Sequence, residues 1–201
     1  MVELNEKYLV NKGTNRACYI YPNEKNKCIK IDLKDNKETK REIKYYKLLQ
    51  KKSISFKMLS KYFSSIKTSL GQGEVFELII DYDGKVSTEV DKYLTNKTSS
   101  NEDIKNIISL IPKLKQYLYK EKIYVKDLNP VNIVFQKLDK LNYRLVIIDG
   151  LAHSNYNPFF YFFDYFLLKK INKSWKNFIT TVKENKLIKE NRELKDILKD
   201  L

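Results

Sequence analysis

A chain of 201 residues, 42% hydrophobic and 13% aromatic, can form one medium domain or two small lobes around a shared cleft, and is too apolar for disorder. Its formal net charge of +14 admits three classes of acidic partner: nucleic acid, acidic phospholipid and phosphorylated ligands. The lysines are interspersed with acids throughout, and only Arg16, Arg41, Arg144 and Arg192 are arginines; a solvated lysine surface fits better than a nucleic-acid stripe.

In chain order, Ala17–Tyr21 and Lys27–Leu33 read as short strands joined through Pro22-Asn23-Glu24. A helix follows from Asn36, with Ile43, Tyr45, Tyr46, Leu48 and Leu49 as its apolar side. Tyr62–Leu70 and Glu74–Ile80 predict a hairpin turning at Gly71-Gln72-Gly73. Asp81-Tyr82-Asp83-Gly84 is a turn, and Ser87 or Thr88 is placed to cap a short helix. A longer helix starts near Asn101 with Glu102 and Asp103 in its first turn, and Pro112 should kink or split it. Two further strands, Asn132–Gln136 and Tyr143–Ile148, precede two or three helices from about Pro158. This is α+β order, without the strand–helix alternation of a Rossmann fold.

Cys18 and Cys28 form no metal spacing with the single His153 and sit in strand-like runs, so reduced thiols are expected, a disulfide being the other reading. No signal peptide opens the chain and no apolar run reaches membrane-spanning length, which predicts a cytoplasmic protein.

Phosphoryl transfer needs positioned charge: magnesium bridging the phosphates, a lysine holding them, and a carboxylate orienting the attacking hydroxyl. The run Asp127-Leu128-Asn129-Pro130-Val131-Asn132 has the Asp-x-x-x-x-Asn spacing of a kinase catalytic loop. Asp127 is the candidate acceptor of the hydroxyl proton and Asn132 a candidate magnesium ligand. Asp149 ends the apolar strand Leu145–Ile148, where a metal-bridging carboxylate belongs. Lys30 lies inside the apolar run Cys28–Ile31 and must pair, line a cleft or face solvent, because burying an unpaired ammonium is costly. In the kinase reading it contacts phosphates and pairs with Glu42, Glu38 being the alternative one turn earlier. Gly13 lies where a phosphate-covering loop would be, but stands alone.

Arg16-Ala17-Cys18-Tyr19 with Pro22 and Cys28-Ile29-Lys30 resembles the opening of the PhoP regulatory network protein (YrbL-like) family. So do Glu42 with Tyr45-Tyr46, Thr68–Gly73 with Phe76–Ile79, Asp81–Gly84, Asp127–Pro130 and Ile148–Leu151. The resemblance spans roughly residues 9–180. It implies a minimal protein-kinase-like fold in a single domain over residues 1–201, with a small β-rich N-lobe (1–80) and a reduced helical C-lobe (81–201). It further implies an ATP- and magnesium-binding cleft with Glu77 and Ile79 at the hinge. Val125-Lys126 stand where protein kinases have His-Arg, and Asp149-Gly150-Leu151 where they have Asp-Phe-Gly.

The short stretch after Asp149 lacks an Ala-Pro-Glu segment, so a small-molecule, sugar or lipid-linked hydroxyl is the expected acceptor. Residues Asn157–Leu168 read as a core helix with Asp164 buried and bonded to the catalytic loop. In the alternative, Phe159, Phe160, Phe162 and Phe163 anchor at the inner membrane beside Lys169, Lys170, Lys173 and Trp175. Three function classes follow: an ATP/magnesium phosphotransferase, a pseudokinase-like module binding nucleotide or a protein partner without catalysis, and a basic nucleic-acid binder. The set Lys30, Asp127, Asn132 and Asp149 favours the first.

Overall fold

Alternation along the first strands sets the architecture. The computed structural model describes residues 1–34, 37–96, 98–151 and 164–198 (the side chain of Asp164 excepted). Strands β1 (Leu9–Lys12), β2 (Arg16–Ile20), β3 (Lys27–Asp32), β4 (Tyr62–Thr68) and β5 (Gly71–Glu77) form an antiparallel sheet ordered β1-β2-β3-β5-β4. Cys18 lies opposite Lys30 and Ile20 opposite Cys28, so these residues share one face of the sheet with Arg16. The other face buries Ile29, Ile31 and Val75 with Leu4 in a small outer cluster.

Helix α1 (Lys37–Lys51) packs Ile43, Tyr46 and Leu49 into the main core, which also holds Phe76, Leu59, Phe135 and Ile147. Thr39 Oγ1 donates to Asp32 Oδ1 (2.7 Å), fixing the start of α1 against the end of β3. A second sheet is ordered β6 (Thr88–Glu89), β7 (Ile133–Lys137), β8 (Tyr143–Ile147). Helices α2 (Val90–Thr95), α3 (Asn101–Lys120), α4 (Asp164–Glu184), α5 (Lys186–Glu190) and α6 (Arg192–Leu198), with single 3-10 turns at Glu6–Tyr8 and Pro130–Asn132, complete the described elements. Segment 58–60 joins the two halves: Ser60 N donates to Ile147 O (2.9 Å) and Ile147 N to Met58 O (3.0 Å).

The α+β order is observed, with four local corrections. The β4–β5 turn falls at Ser69-Leu70 rather than at Gly71–Gly73, and Gly71 adopts φ +110° at the first position of β5. Gly73 is a glycine for packing, since a Cβ there would overlap Ile29 and stand 2.8 Å from Ile31 Cδ1. Pro112 does not split α3; it sits on the exposed side, while Ile104, Ile108, Ile111 and Leu118 bury the opposite face along the whole helix. Neither Ser87 nor Thr88 caps α2: Ser87 Oγ donates to Asp81 Oδ1 (2.5 Å), Thr88 lies in β6, and Glu89 occupies the cap position without a side-chain bond. Strand β1 was absent from the sequence expectation.

Among the described residues no helix is long and apolar enough to cross a membrane. Cys18 and Cys28 are free thiols, the second buried. The proposed aromatic anchor and the contact of Asp164 lie outside the described residues or side chains. Trp175, assigned to that anchor, is 2% exposed and packs on Phe178.

Candidate active site

A cleft of about 820 Å³ separates the five-stranded sheet from the loops around β7 and β8. Gly13, Arg16, Lys30, Glu42, Glu77, Ile79, Asp127, Asn132 and Asp149 all line it, so every sequence-selected site residue meets in one place.

The sheet side is built by strand parity. Lys30, 9% exposed, points off the cleft face of β3, with its ammonium 4.6 Å from the centre of the Phe76 ring. It donates to Ile148 O (2.6 Å) and Asp149 Oδ2 (3.3 Å). The expected Lys30–Glu42 pair is not formed. Glu42, 1% exposed, instead receives Arg16 Nη1 on Oε2 (2.6 Å), and Arg16 Nη2 bonds Asp149 Oδ1. Arg16 is four residues from the end of β1 and shares the parity of Cys18, which carries its longer, forked side chain between the two carboxylates. Glu38, the alternative partner, lies at the cleft mouth and accepts from Lys126 Nζ (3.0 Å).

Arg16 is the charged cleft residue that sequence reasoning left out of the site. The available signal was a rare arginine in a lysine-rich chain, two residues from the Cys18 that faces Lys30.

The loop side is organised by Gly150. Asp127 N donates to Gly150 O (3.0 Å), and Ile148 N donates to Asn132 O (2.9 Å). Gly150 has φ +89°, and a Cβ there would collide with the Asp127 carbonyl and stand 3.1 Å from Asn132 Nδ2. Pro130–Asn132 form a single 3-10 turn whose start is capped by Asn129 Oδ1 accepting from Val131 N (3.3 Å). Asn132 Nδ2 donates to the Asp127 carbonyl and to Asp127 Oδ2, both at 2.9 Å. Upstream, Val125 is buried, and Tyr124 N donates to Tyr45 Oη (2.9 Å), tying this segment to α1.

At the strip joining the halves, Glu77 N donates to Lys61 O (2.8 Å), and Ile79 O accepts from Ser87 N (2.9 Å). Gly13 N donates to Arg16 O (2.9 Å) in the tight β1–β2 turn, where a Cβ on Gly13 would meet only ordinary contact at 3.6 Å. Asn11 Nδ2 reaches across to Glu89 Oε1 (2.9 Å) at the mouth.

The electrostatics follow from two cations and two carboxylates sharing one low-dielectric site. Burial works against the Asp149 carboxylate, but Lys30 and Arg16 overcome it and hold its pKa at about 2. Burial likewise opposes the Lys30 ammonium, and Asp149 with Glu42 outweighs it and raises the pKa. Burial, then the neighbouring Asp149 charge, raises the Glu42 pKa in spite of Arg16 and Lys30. One Glu42 oxygen, Oε1, is buried without a hydrogen-bond partner.

The pattern of the PhoP regulatory network protein YrbL family matches residues 2–183. The chain belongs to this family. It is 30% identical over 183 residues to the uncharacterized protein YrbL of Escherichia coli (strain K12), covering 89% of this chain and 87% of that protein. YrbL of Shigella flexneri gives the same identity and coverage. The matched span contains every residue lining this YrbL-family cleft, from Val10 to Gly150.

Two oxygen donors, Asp149 and the amide oxygen of Asn132, are the part of the donor set that could hold magnesium alongside substrate phosphates. Asn132 commits its amide nitrogen to Asp127, which leaves Oδ1 as the ligating atom. Among the described residues no cluster of three or more His, Cys, Asp or Glu side chains is placed to hold a metal ion.

Proposed function

We propose that this YrbL-family protein is an ATP- and magnesium-dependent phosphotransferase of protein-kinase-like architecture, acting on a small-molecule, sugar or lipid-linked hydroxyl in the cytoplasm. The observation that carries the reading is the convergence of Lys30, Asp149, Asn132 and Asp127 on one cleft, with the two loop segments tied through Gly150. Glu77 and Ile79 border the same cleft beside the apolar wall of Val134 and Ile148, which suits an adenine ring.

Lys30 is fixed by its strand and by Asp149, so its charge is pre-positioned for phosphate oxygens. Asp127 is exposed and keeps its carboxylate oriented through Asn132, ready to take the proton of an incoming hydroxyl. The hydroxyl oxygen then bonds to the γ-phosphorus as the bond to the ADP oxygen breaks. Magnesium, when bound, would neutralise the phosphate charge that develops in this step. A lipid-linked acceptor would bring the protein to the inner face of a membrane.

One observation favours the second reading, a pseudokinase-like module. Both Asp149 oxygens are engaged by protein groups: Oδ1 by Arg16 and by Gly150 N (2.7 Å), Oδ2 by Lys30. Thermal denaturation with ATP and magnesium separates the outcomes. Wild type should gain about 2.7 kcal/mol at ligand one hundredfold above Kd, and Asp149→Ala should lose that gain. An unmoved wild-type midpoint sinks both nucleotide readings. Stabilisation without ATP turnover on any hydroxyl acceptor leaves the non-catalytic module.

A further inference from the structure

The phosphate end of the cleft has an unusual construction. A glycine-rich loop holds phosphates with backbone N–H groups, yet the turn from Lys12 to Arg16 has one glycine. The N–H of that glycine is spent on Arg16 O. What this turn does deliver is the Arg16 guanidinium, 16% exposed, lodged between Glu42 and Asp149.

A guanidinium has five donors in a planar fork suited to phosphate, and Arg16 uses its two terminal nitrogens on carboxylates. One of those carboxylates, Asp149, is the oxygen ligand a metal would need. Arg16 and a divalent cation therefore compete for Asp149 Oδ1. The local charge also decides the order of events. Arg16, Lys30, Glu42 and Asp149 sum to zero, so a bare cation finds no net attraction in the cluster. A cation entering with phosphates brings a new anionic partner for the displaced arginine.

We propose that Arg16 is a nucleotide-phosphate ligand that covers Asp149 until the metal–nucleotide complex arrives, so that metal enters with nucleotide and not before it. This rests on the nucleotide-binding reading above. Arg16 passes from Asp149 to the phosphates as the metal takes Asp149, while its other arm stays on Glu42 Oε2. The side chain thus supplies the anion contacts that the sparse glycine turn omits.

The test measures two affinities that should move in opposite directions. Mn²⁺ alone is titrated by electron paramagnetic resonance, and Mn²⁺–ADP and adenosine by calorimetry, on wild type and Arg16→Gln. Removing the arginine should tighten Mn²⁺ alone several-fold, because Asp149 is uncovered. It should weaken Mn²⁺–ADP by roughly 10- to 100-fold, the worth of hydrogen bonds to charged groups, and leave adenosine unchanged. Because Glu42 would lose its partner, the double variant Arg16→Met/Glu42→Gln, which removes both charges, is measured in parallel with the same expectation. A merely structural arginine would weaken all three ligands together, and that result overturns the proposal. So does Mn²⁺–ADP binding as tightly in the variants as in wild type. If wild type binds adenosine and Mn²⁺–ADP but the variants show no opposite shift, Arg16 is excluded and the nucleotide site stands. If wild type binds neither, the nucleotide-binding reading itself fails and takes this proposal with it.

Discussion

The two walls of the cleft hold their charges in different ways. On the sheet side, Glu42 and Lys30 are buried and Arg16 nearly so, each engaging charged partners on elements far apart in sequence. On the loop side, Asp127 is exposed, and its side chain is held by Asn132, five residues away. Buried pairs couple function to folding, because removing one partner strands the other in a low-dielectric site. Exposed groups tied to a neighbouring turn can be changed with little cost to the fold. The sheet wall is thus part of the protein's stability, and the Asp127 side chain on the loop wall contributes little to it.

The largest test of that contrast is Arg16→Ala, which leaves the Glu42 carboxylate buried and unpaired. Urea denaturation should show a loss of about 3–5 kcal/mol. A loss below about 1 kcal/mol would mean that the two walls do not differ in kind. Gly150→Ala comes next, because it places a Cβ at φ +89° against the Asp127 carbonyl. It should cost about 1–3 kcal/mol and separate Asp127 from Asp149, lowering nucleotide affinity as well.

Acid titration probes the boundary between the walls. The folded pKa of Asp149, about 2, lies below its ordinary 3.8, so its stabilisation is present above pH 3.8 and lost as pH falls toward 2. Since its side chain is 31% exposed, the amount is about 1 kcal/mol after screening. Asp149→Asn should flatten that limb of the stability curve. Glu42 has the opposite sign: its raised pKa favours the fold at low pH, and that contribution fades as pH rises through the folded value. The smallest stability effect belongs to Asp127→Asn, within about 0.5 kcal/mol. The proposed phosphoryl transfer should nonetheless fall about 10²- to 10⁴-fold in that variant, measured as ATP turnover with an accepted hydroxyl. A large drop in its melting temperature would erase the distinction between the walls.

What the sequence made legible divides along the same line. The loop wall is local: Asp127 and Asn132 sit one 3-10 turn apart, and Asp149 follows a short hairpin, so spacing alone brings them together. The sheet wall depends on strand parity and on which of several charged side chains reaches which. Lys30 was legible as a lysine in an apolar strand, but its partner was not, because the longer fork of Arg16 takes Glu42 first. Strand β1 carries no sequence signal, since Leu9, Asn11 and Lys12 are exposed and show no alternating burial. Gly71-Gln72-Gly73 suggested a turn because glycine favours turns, whereas Gly73 answers to the close approach of Ile29 and Ile31. Pro112 failed to break α3 because one continuous apolar face holds both of its halves.

The paired backbone bonds around Gly150 also have a mechanical meaning. Asp127 is fastened to Gly150 and Asn132 to Ile148, so the loop and the Asp149 segment move as one jaw. Any widening of the cleft is then carried by the opposing jaw, the sheet with Arg16. The contacts that such a motion must break include the Arg16 and Lys30 bonds to Asp149, the Lys30 bond to the Ile148 carbonyl, the Lys126–Glu38 pair and the Asn11–Glu89 clasp at the mouth. The jaw that holds the proposed proton acceptor can therefore stay rigid while the other opens to admit a ligand.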